Sequence, residues 1–178
     1  KAGLELGELA PGIMAESASF PTRMTGRNYE SVIPGKENEV LREPVGVVGI
    51  ITPWNVPFHL SMRAIAPALA LGNAVVLKPA EDTPITGGLA IAELFEAAGL
   101  PPGVLNVVPG DGPDAGAPLA EHPDADVVSF TGSTAVGKEV AKAAVDNLAF
   151  PALELGGNNA HIVLEDADLD RAVDAGFF

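Results

Sequence analysis

Val127-Val128-Ser129-Phe130-Thr131-Gly132-Ser133-Thr134-Ala135-Val136-Gly137-Lys138-Glu139-Val140 decides the fold. An apolar run ends in Thr-Gly-Ser and passes at once into a segment whose apolar residues Val136, Val140 and Ala143 keep the spacing of one helix face. The stretch therefore reads as strand, tight turn and helix. Gly132 permits a reversal that a Cβ would penalise, and the Ser133 hydroxyl is suited to accept from the first unpaired N–H groups of the helix. Those N–H groups and the positive end of the helix dipole make a place for a phosphate. An ordinary capped helix is the other reading of the same residues.

Gly132-x-x-x-x-Gly137-Lys138 also spells most of a P-loop. The next position argues against it, because Glu139 stands where Ser or Thr would hold Mg²⁺ and would aim a carboxylate at phosphate oxygens. The turn thus predicts a phosphate site for a dinucleotide rather than a triphosphate.

Working outward, strands and helices alternate at short spacing. Val45 to Ile51 is a continuous apolar run expected of a strand covered on both faces. Leu60 to Leu71 predicts a helix closed by Gly72, Ala74 to Leu77 a strand, and Thr83-Pro84 the cap and first residue of a helix running to Ala98 and closing at Gly99. Val104 to Val108 predicts a third strand and Pro118 to Glu121 a short helix. Beyond the central stretch, Pro151 to Leu155 and His161 to Leu164 read as strands, and Asp166 to Phe178 begins a helix with acids in its first turn. The fold class is α/β: a parallel sheet with right-handed crossovers, helices on both faces, and ligands at the carboxyl ends of the strands.

Upstream of Val45 the rhythm differs. Tyr29 to Leu41 predicts two strands joined at Pro34-Gly35, a ribbon leaning out of the domain and suited to pairing with another subunit. Leu4, Leu6, Leu9 and Ile13 have mixed helical spacing, and Pro11-Gly12 is expected to end or kink any helix there. Three units follow: a helical segment 1–28, the ribbon 29–43 and the sheet domain 44–178.

The chain's 178 residues suit one domain with a sizeable core, and 47% apolar residues exclude a disordered chain. No apolar run is long enough for a membrane span, and Lys1-Ala2-Gly3-Leu4-Glu5 lacks a signal-peptide pattern, so a cytoplasmic protein is expected. Twenty-four acidic against ten basic residues give a net charge of −14, which argues against nucleic acid or a membrane surface as partner. The same acidity resembles that of halophilic proteins adapted to high salt. There is no cysteine, which excludes disulfides and Cys-ligated metals in this chain. Lys1 at the start and Phe177-Phe178 inside a helical pattern read as the ends of a segment of something longer.

Unusual residues cluster at the predicted strand ends. Lys78 and Glu81, stiffened by Pro79, are suited to grip ribose hydroxyls, and a carboxylate there repels a 2′-phosphate, favouring NAD over NADP. A solvated ion pair is the alternative. The Asn55 amide, after Trp54, is placed to donate to a developing oxyanion, or to close an Asx turn. Glu154 is a lone acid in Phe150-Pro151-Ala152-Leu153-Glu154-Leu155-Gly156-Gly157, where desolvation would raise its pKa toward that of a general base; an exposed position on an alternating strand competes. His59, His122 and His161 lack ligand-like spacing. Asp166-x-Asp168-x-Asp170 fails as an EF-hand loop, since Arg171 and Phe177 replace its glycine and closing glutamate.

Taken together, Thr52-Pro53-Trp54-Asn55, Lys78-Pro79-Ala80-Glu81, Phe130-Thr131-Gly132-Ser133-Thr134-Ala135-Val136-Gly137 and Leu153-Glu154-Leu155-Gly156-Gly157 resemble the NAD(P)-dependent aldehyde dehydrogenase superfamily, from about Glu30 to Phe178. The resemblance implies a Rossmann-like cofactor domain, an oligomerisation ribbon giving a homodimer or homotetramer, and oxidation of an aldehyde to a carboxylic acid with NAD. It implies that a cysteine thiolate attacks the aldehyde, that Asn55 holds the oxyanion, and that Glu154 activates the water that hydrolyses the thioester. It implies cofactor contacts from Thr52, Pro53, Trp54 and Asn55, adenosine-ribose contacts from Lys78 and Glu81 beside Ala80, and a pyrophosphate turn at Gly132 and Ser133 leading to Gly137. Val136 and Gly112 would flank the adenine pocket, and Leu155 and Gly156 the nicotinamide. The nucleophilic cysteine would lie downstream of Phe178, so this chain alone is expected to bind cofactor without turning over; an inactive cofactor-binding fragment or structural module is the alternative. Asn158 replaces the lysine many members carry, and Gly156-Gly157-Asn158-Asn159 resembles benzaldehyde dehydrogenases, which implies an aromatic aldehyde.

Overall fold

The computed structural model describes residues 5–176. A π-helical turn, Glu5–Leu9, leads into α1 (Ala10–Ala18) and the short α2 (Phe20–Arg23). Pro11 was expected to break this helix and does not. It sits in the first turn of α1, where a missing N–H is no loss. Leu4, part of the same reading, lies outside the described residues.

The ribbon is present, formed by β1 (Arg27–Glu30) and β2 (Glu37–Val40). The strands are antiparallel, with Arg27 opposite Val40 and Glu30 opposite Glu37, so the ribbon starts slightly before its expected boundary. Both strands are exposed along their length, as is Leu41 beyond them.

The sheet domain follows the predicted alternation: β3 (Val47–Ile51), α3 (Pro57–Ala70), β4 (Ala74–Lys78), α4 (Ala90–Ala97), β5 (Leu105–Val107), α5 (Ala117–Ala120), β6 (Val127–Thr131), α6 (Thr134–Asp146), β7 (Phe150–Glu154) and α7 (Leu169–Gly176). Gly72 and Gly99, with φ of +83° and +89°, close α3 and α4 as expected. Thr83 does not cap its helix. Its hydroxyl is buried without a partner, only its carbonyl accepts, from Gly87, and α4 opens through a π-helical turn at Ile85–Leu89.

All five strands of the main sheet run parallel in the order β5-β4-β3-β6-β7. From β3 the chain steps outward through β4 to β5, then returns to the other side of β3 for β6 and β7. The loops after β3 and β6 therefore diverge at a topological switch point, where parallel sheets bind ligands.

Alternation along β3 explains why both faces are covered. Val48 and Ile50 join one core with Phe58, Met62, Ile65 and Ala66 of α3, Val75 and Leu77 of β4, and Ile91 of α4. Ile51 turns to the other, with Val128 and Phe130 of β6 and Val140 and Ala144 of α6. At roughly 25 cal/mol per Å² of apolar surface removed from water, each fully buried Ile or Leu contributes about 1.5–3 kcal/mol, and Ile50, Ile65, Leu77 and Ile91 are all fully enclosed.

One predicted strand is absent. His161 to Leu164 has no regular structure, and Ile162 and Leu164 are exposed. An apolar run becomes a strand only with a neighbour to pair with, and among the described residues β7 pairs with β6 alone. The last helix begins at Leu169, with the Asp168 carboxylate accepting from the N–H groups of Asp170 and Arg171; Phe177 and Phe178 lie outside the described residues. Among the described residues no helix is long and apolar enough to cross a membrane.

Candidate active site and cofactor crevice

Because the five strands are parallel, their carboxyl ends share one edge of the sheet. That edge brings together Thr52-Pro53-Trp54-Asn55 after β3, Lys78 to Glu81 at the end of β4, Gly112 after β5, Thr131-Gly132-Ser133 after β6 and Glu154-Leu155-Gly156 after β7.

The turn after β6 is built much as expected. Ser133 has extended backbone at the N-cap of α6, and its hydroxyl accepts the Val136 N–H at 3.3 Å. The Thr134 and Ala135 N–H groups of the first turn remain without intrahelical acceptors, as helix geometry requires. Gly132 is needed for a different reason than expected. It has no left-handed φ; a Cβ there would lie 2.6 Å from the Phe130 ring. The turn is thus pressed against an aromatic side chain of the strand it leaves, keeping backbone amides bare toward the edge. Val136 on α6 is exposed, whereas Gly137 is buried where any side chain would collide with that of Leu155.

Lys78 is 3% exposed, yet its Nζ reaches the Glu81 carboxylate at 2.9 Å, while the Glu81 side chain is more than half exposed. The simple picture of a solvated surface pair does not fit, since the cation end is fixed inside the protein. The hydrogen bond from Lys78, with a backbone hydrogen bond and the charge of Lys78, holds the Glu81 carboxyl below the usual carboxylate range. Glu81 therefore stays an acceptor, and Lys78 remains a donor beside it. Ala80 is buried between them.

After β3, Thr52 is buried and turned inward. Its N–H donates to the Lys78 carbonyl at 3.2 Å; its hydroxyl meets Ser61 Oγ at 3.1 Å, and Ser61 donates to the Gly87 carbonyl at 2.7 Å. Ser61 spends its single proton on Gly87, so Thr52 is the donor of that pair. This network anchors the root of the loop. Trp54 and Asn55 at its tip are exposed. Gly112 opens a π-helical turn whose cap is Asp111, its carboxylate accepting from the Asp114 N–H at 3.0 Å.

Glu154 ends β7 opposite Thr131. Its side chain is 68% exposed, so the desolvation expected from its apolar neighbours is absent in this chain. Among the described residues the acid ends the outermost strand of the sheet, and Arg63 of α3 lies 3.9 Å from its carboxylate. Sequence reasoning missed Arg63, which carries no motif. It also missed Glu5. The buried Glu5 carboxylate accepts the Phe58 and His59 N–H groups at 3.0 and 3.1 Å, capping α3 from 53 and 54 positions upstream. The only available signal was negative: Val56 at the N-cap has no side-chain acceptor.

The two helix starts at this edge are therefore unequal. A carboxylate already holds that of α3, while the start of α6 presents glycine, a hydroxyl and free amides. The first has its Phe58 and His59 N–H groups taken by a carboxylate, whereas the second leaves the positive end of its dipole open to an anion. A groove of about 590 Å³ beside Glu5, lined by Pro57, Phe58, Thr86, Ala90 and Leu94 among others, is chiefly apolar and contains none of the strand-end residues. Among the described residues no three His, Asp or Glu side chains group to hold a metal.

Residues 5–178 match the model of the aldehyde dehydrogenase family. The chain is 53% identical over its full length to the benzaldehyde dehydrogenase YfmT of Bacillus subtilis, and 52% identical over 177 residues to a vanillin dehydrogenase of Corynebacterium glutamicum. It spans 36% of the length of each. Among solved structures, an NAD-dependent benzaldehyde dehydrogenase from Corynebacterium glutamicum superposes with a TM-score of 0.90 at 53% identity, over 97% of this chain and 37% of that one. A betaine aldehyde dehydrogenase mutant from Staphylococcus aureus in complex with NAD+ gives 0.90 at 40% identity, over 94% and 33%.

Proposed function

The chain belongs to the aldehyde dehydrogenase family, and on that premise we propose that it is the cofactor-binding part of an enzyme that oxidises an aldehyde, preferably aromatic, to a carboxylic acid with NAD. The observation that carries this reading is the shared sheet edge, with its unequal helix starts, buried lysine and loop-tip asparagine.

The residues fit a dinucleotide. The Gly132–Ser133 turn and the amides at the start of α6 hold the pyrophosphate. Lys78 donates to one ribose hydroxyl and Glu81 accepts from another, and the exposed Glu81 carboxylate repels a 2′-phosphate, which favours NAD over NADP. Val136 and Gly112 flank the adenine; Leu155 and Gly156, locked to α6 through Gly137, border the nicotinamide. When bound, NAD supplies an acceptor for the hydride leaving the substrate carbon.

The chain's own residues serve the acyl chemistry. A cysteine thiolate from the rest of the enzyme adds to the aldehyde carbon, and the Asn55 amide donates to the oxygen that gains charge. Loss of hydride leaves a thioester. Glu154 then takes a proton from water as its oxygen attacks the acyl carbon, releasing carboxylate and thiolate. Since this chain has no cysteine, the chain by itself binds cofactor without turnover. The exposed ribbon β1–β2 is the subunit contact of a homo-oligomer.

The reading is tested by mixing the full-length protein with NAD and a panel of benzaldehyde, vanillin and short aliphatic aldehydes. NADH absorbance with the aromatic members supports it; no NADH with any aldehyde overturns it.

A further inference from the structure

Helix α3 begins badly as far as its own sequence goes. Val56 at the N-cap offers no acceptor, Pro57 follows, and the N–H groups of Phe58 and His59 would be left unpaired in a part-buried first turn. One carboxylate satisfies both. Glu5 Oε2 accepts from Phe58 N at 3.0 Å and His59 N at 3.1 Å, and Glu5 is 4% exposed. Both bonds are charge-assisted and aligned with the helix dipole, the stronger kind of cap.

The residue just before Val56 is Asn55. With its root fixed by the Thr52–Ser61 network and its exit by this cap, the loop Pro53-Trp54-Asn55-Val56 is held at both ends. We propose that Glu5 is a positioning residue for the reaction: it fixes the first turn of α3 and so holds the Asn55 amide where the developing oxyanion forms. The inference rests on Asn55 being the oxyanion donor. Glu5 touches no reacting atom. It acts through the backbone of Phe58 and His59, and a shift of about 1 Å in a donor is enough to matter for rate.

The test uses the full-length enzyme and separates the first NADH burst, which reports thioester formation, from steady turnover and from NAD affinity. Glu5→Ala is expected to slow the burst about tenfold or more, part of the roughly 10²–10³ that an oxyanion donor is worth. NAD affinity should fall much less than the burst rate, because the loop borders only one part of the cofactor and the α6 phosphate turn is untouched. Glu5→Gln, whose amide oxygen still accepts both N–H groups, should restore most of the burst rate. A folded Glu5→Ala enzyme with an unchanged burst overturns the proposal, as does parallel loss of burst and NAD affinity. If Glu5→Ala does not fold, Glu5→Asp decides, since it keeps the charge but is one methylene short: a slowed burst with NAD affinity kept supports the proposal, and an unchanged burst ends it. Asn55→Ala distinguishes the two layers. An unchanged burst there removes the oxyanion reading itself, whereas a slowed burst in Asn55→Ala with a normal one in Glu5→Ala removes only the role of Glu5.

Discussion

Gly132 donates its backbone N–H to the main-chain carbonyl of Glu154 at 3.1 Å. The turn that opens α6 and the acid that ends β7 are thereby one hydrogen-bonded unit, continued by the pairing of Thr131 with Glu154 and by Leu155 against Gly137. On the proposed function, a phosphate at the turn and a water at the acid would share a single piece of backbone.

For Glu154 this predicts a split between steps. Glu154→Gln in the full-length enzyme should leave the NADH burst intact and lower steady turnover by about 10²–10⁴, the range for a general base. Stopped-flow absorbance measures both phases, and an undiminished steady rate rules out the base. The Arg63 contact is a separate matter. With both side chains exposed at 3.9 Å, Arg63→Ala should change stability by less than about 1 kcal/mol in urea unfolding.

Glu81→Gln should raise NADP use relative to NAD, read as the ratio of the two kcat/KM values. An unaltered ratio removes the proposed repulsion of a 2′-phosphate. A stability signature accompanies it. The Glu81 carboxyl is held below its ordinary range chiefly by the Lys78 hydrogen bond, so its contribution is fully present above the unfolded-state value of about 4.5 and fades as pH falls through the lower folded value. The acid limb of a pH–Tm curve should therefore be shallower in Glu81→Gln, by a small amount, since the carboxylate is mostly in solvent.

Ser133→Ala removes the cap of α6 and should cost about 1 kcal/mol of stability. NAD affinity, followed by Trp fluorescence, should fall as well, because the first turn frays at the proposed pyrophosphate site. Loss of stability with unaltered affinity would separate the cap from the phosphate turn.

Gly137→Ala sets two effects against each other. Replacing a mid-helix glycine by alanine gains about 1 kcal/mol of helix propensity. The new methyl would collide with Leu155, and overpacking costs about 1–3 kcal/mol. A net loss, seen as a lower Tm, is expected; a higher Tm would show that Leu155 is free to move.

The sheet was legible in the sequence because each strand and helix satisfies its own period and carries its own stop. Ala74 to Lys78 and the helix closed by Gly72 need no distant information. The gathering of Asn55, Lys78, Ser133 and Glu154 at one sheet edge was legible because each lies in a short stretch at the end of a strand. What stayed hidden was settled by partners far along the chain. Glu5 looks like any surface acid until α3 is seen to lack a cap, and the exposure of Glu154 shows only once β7 is placed outermost of the five described strands. His161 to Leu164 differs for the same reason: its residues suit a strand, and among the described residues no strand lies alongside.

The strand order also fixes when the crevice comes into being. The Asn73 side chain accepts the N–H of Val45, just before β3, from 28 positions away, whereas the Asp126 carboxylate that receives the Val47 N–H is 79 positions distant. Closing the longer loop costs about 1 kcal/mol more chain entropy by the logarithmic law, and non-local pairing is slow. We expect the half-sheet β3–β4–β5 to assemble before β6 docks, so that on the proposed function dinucleotide affinity is the last property regained on refolding.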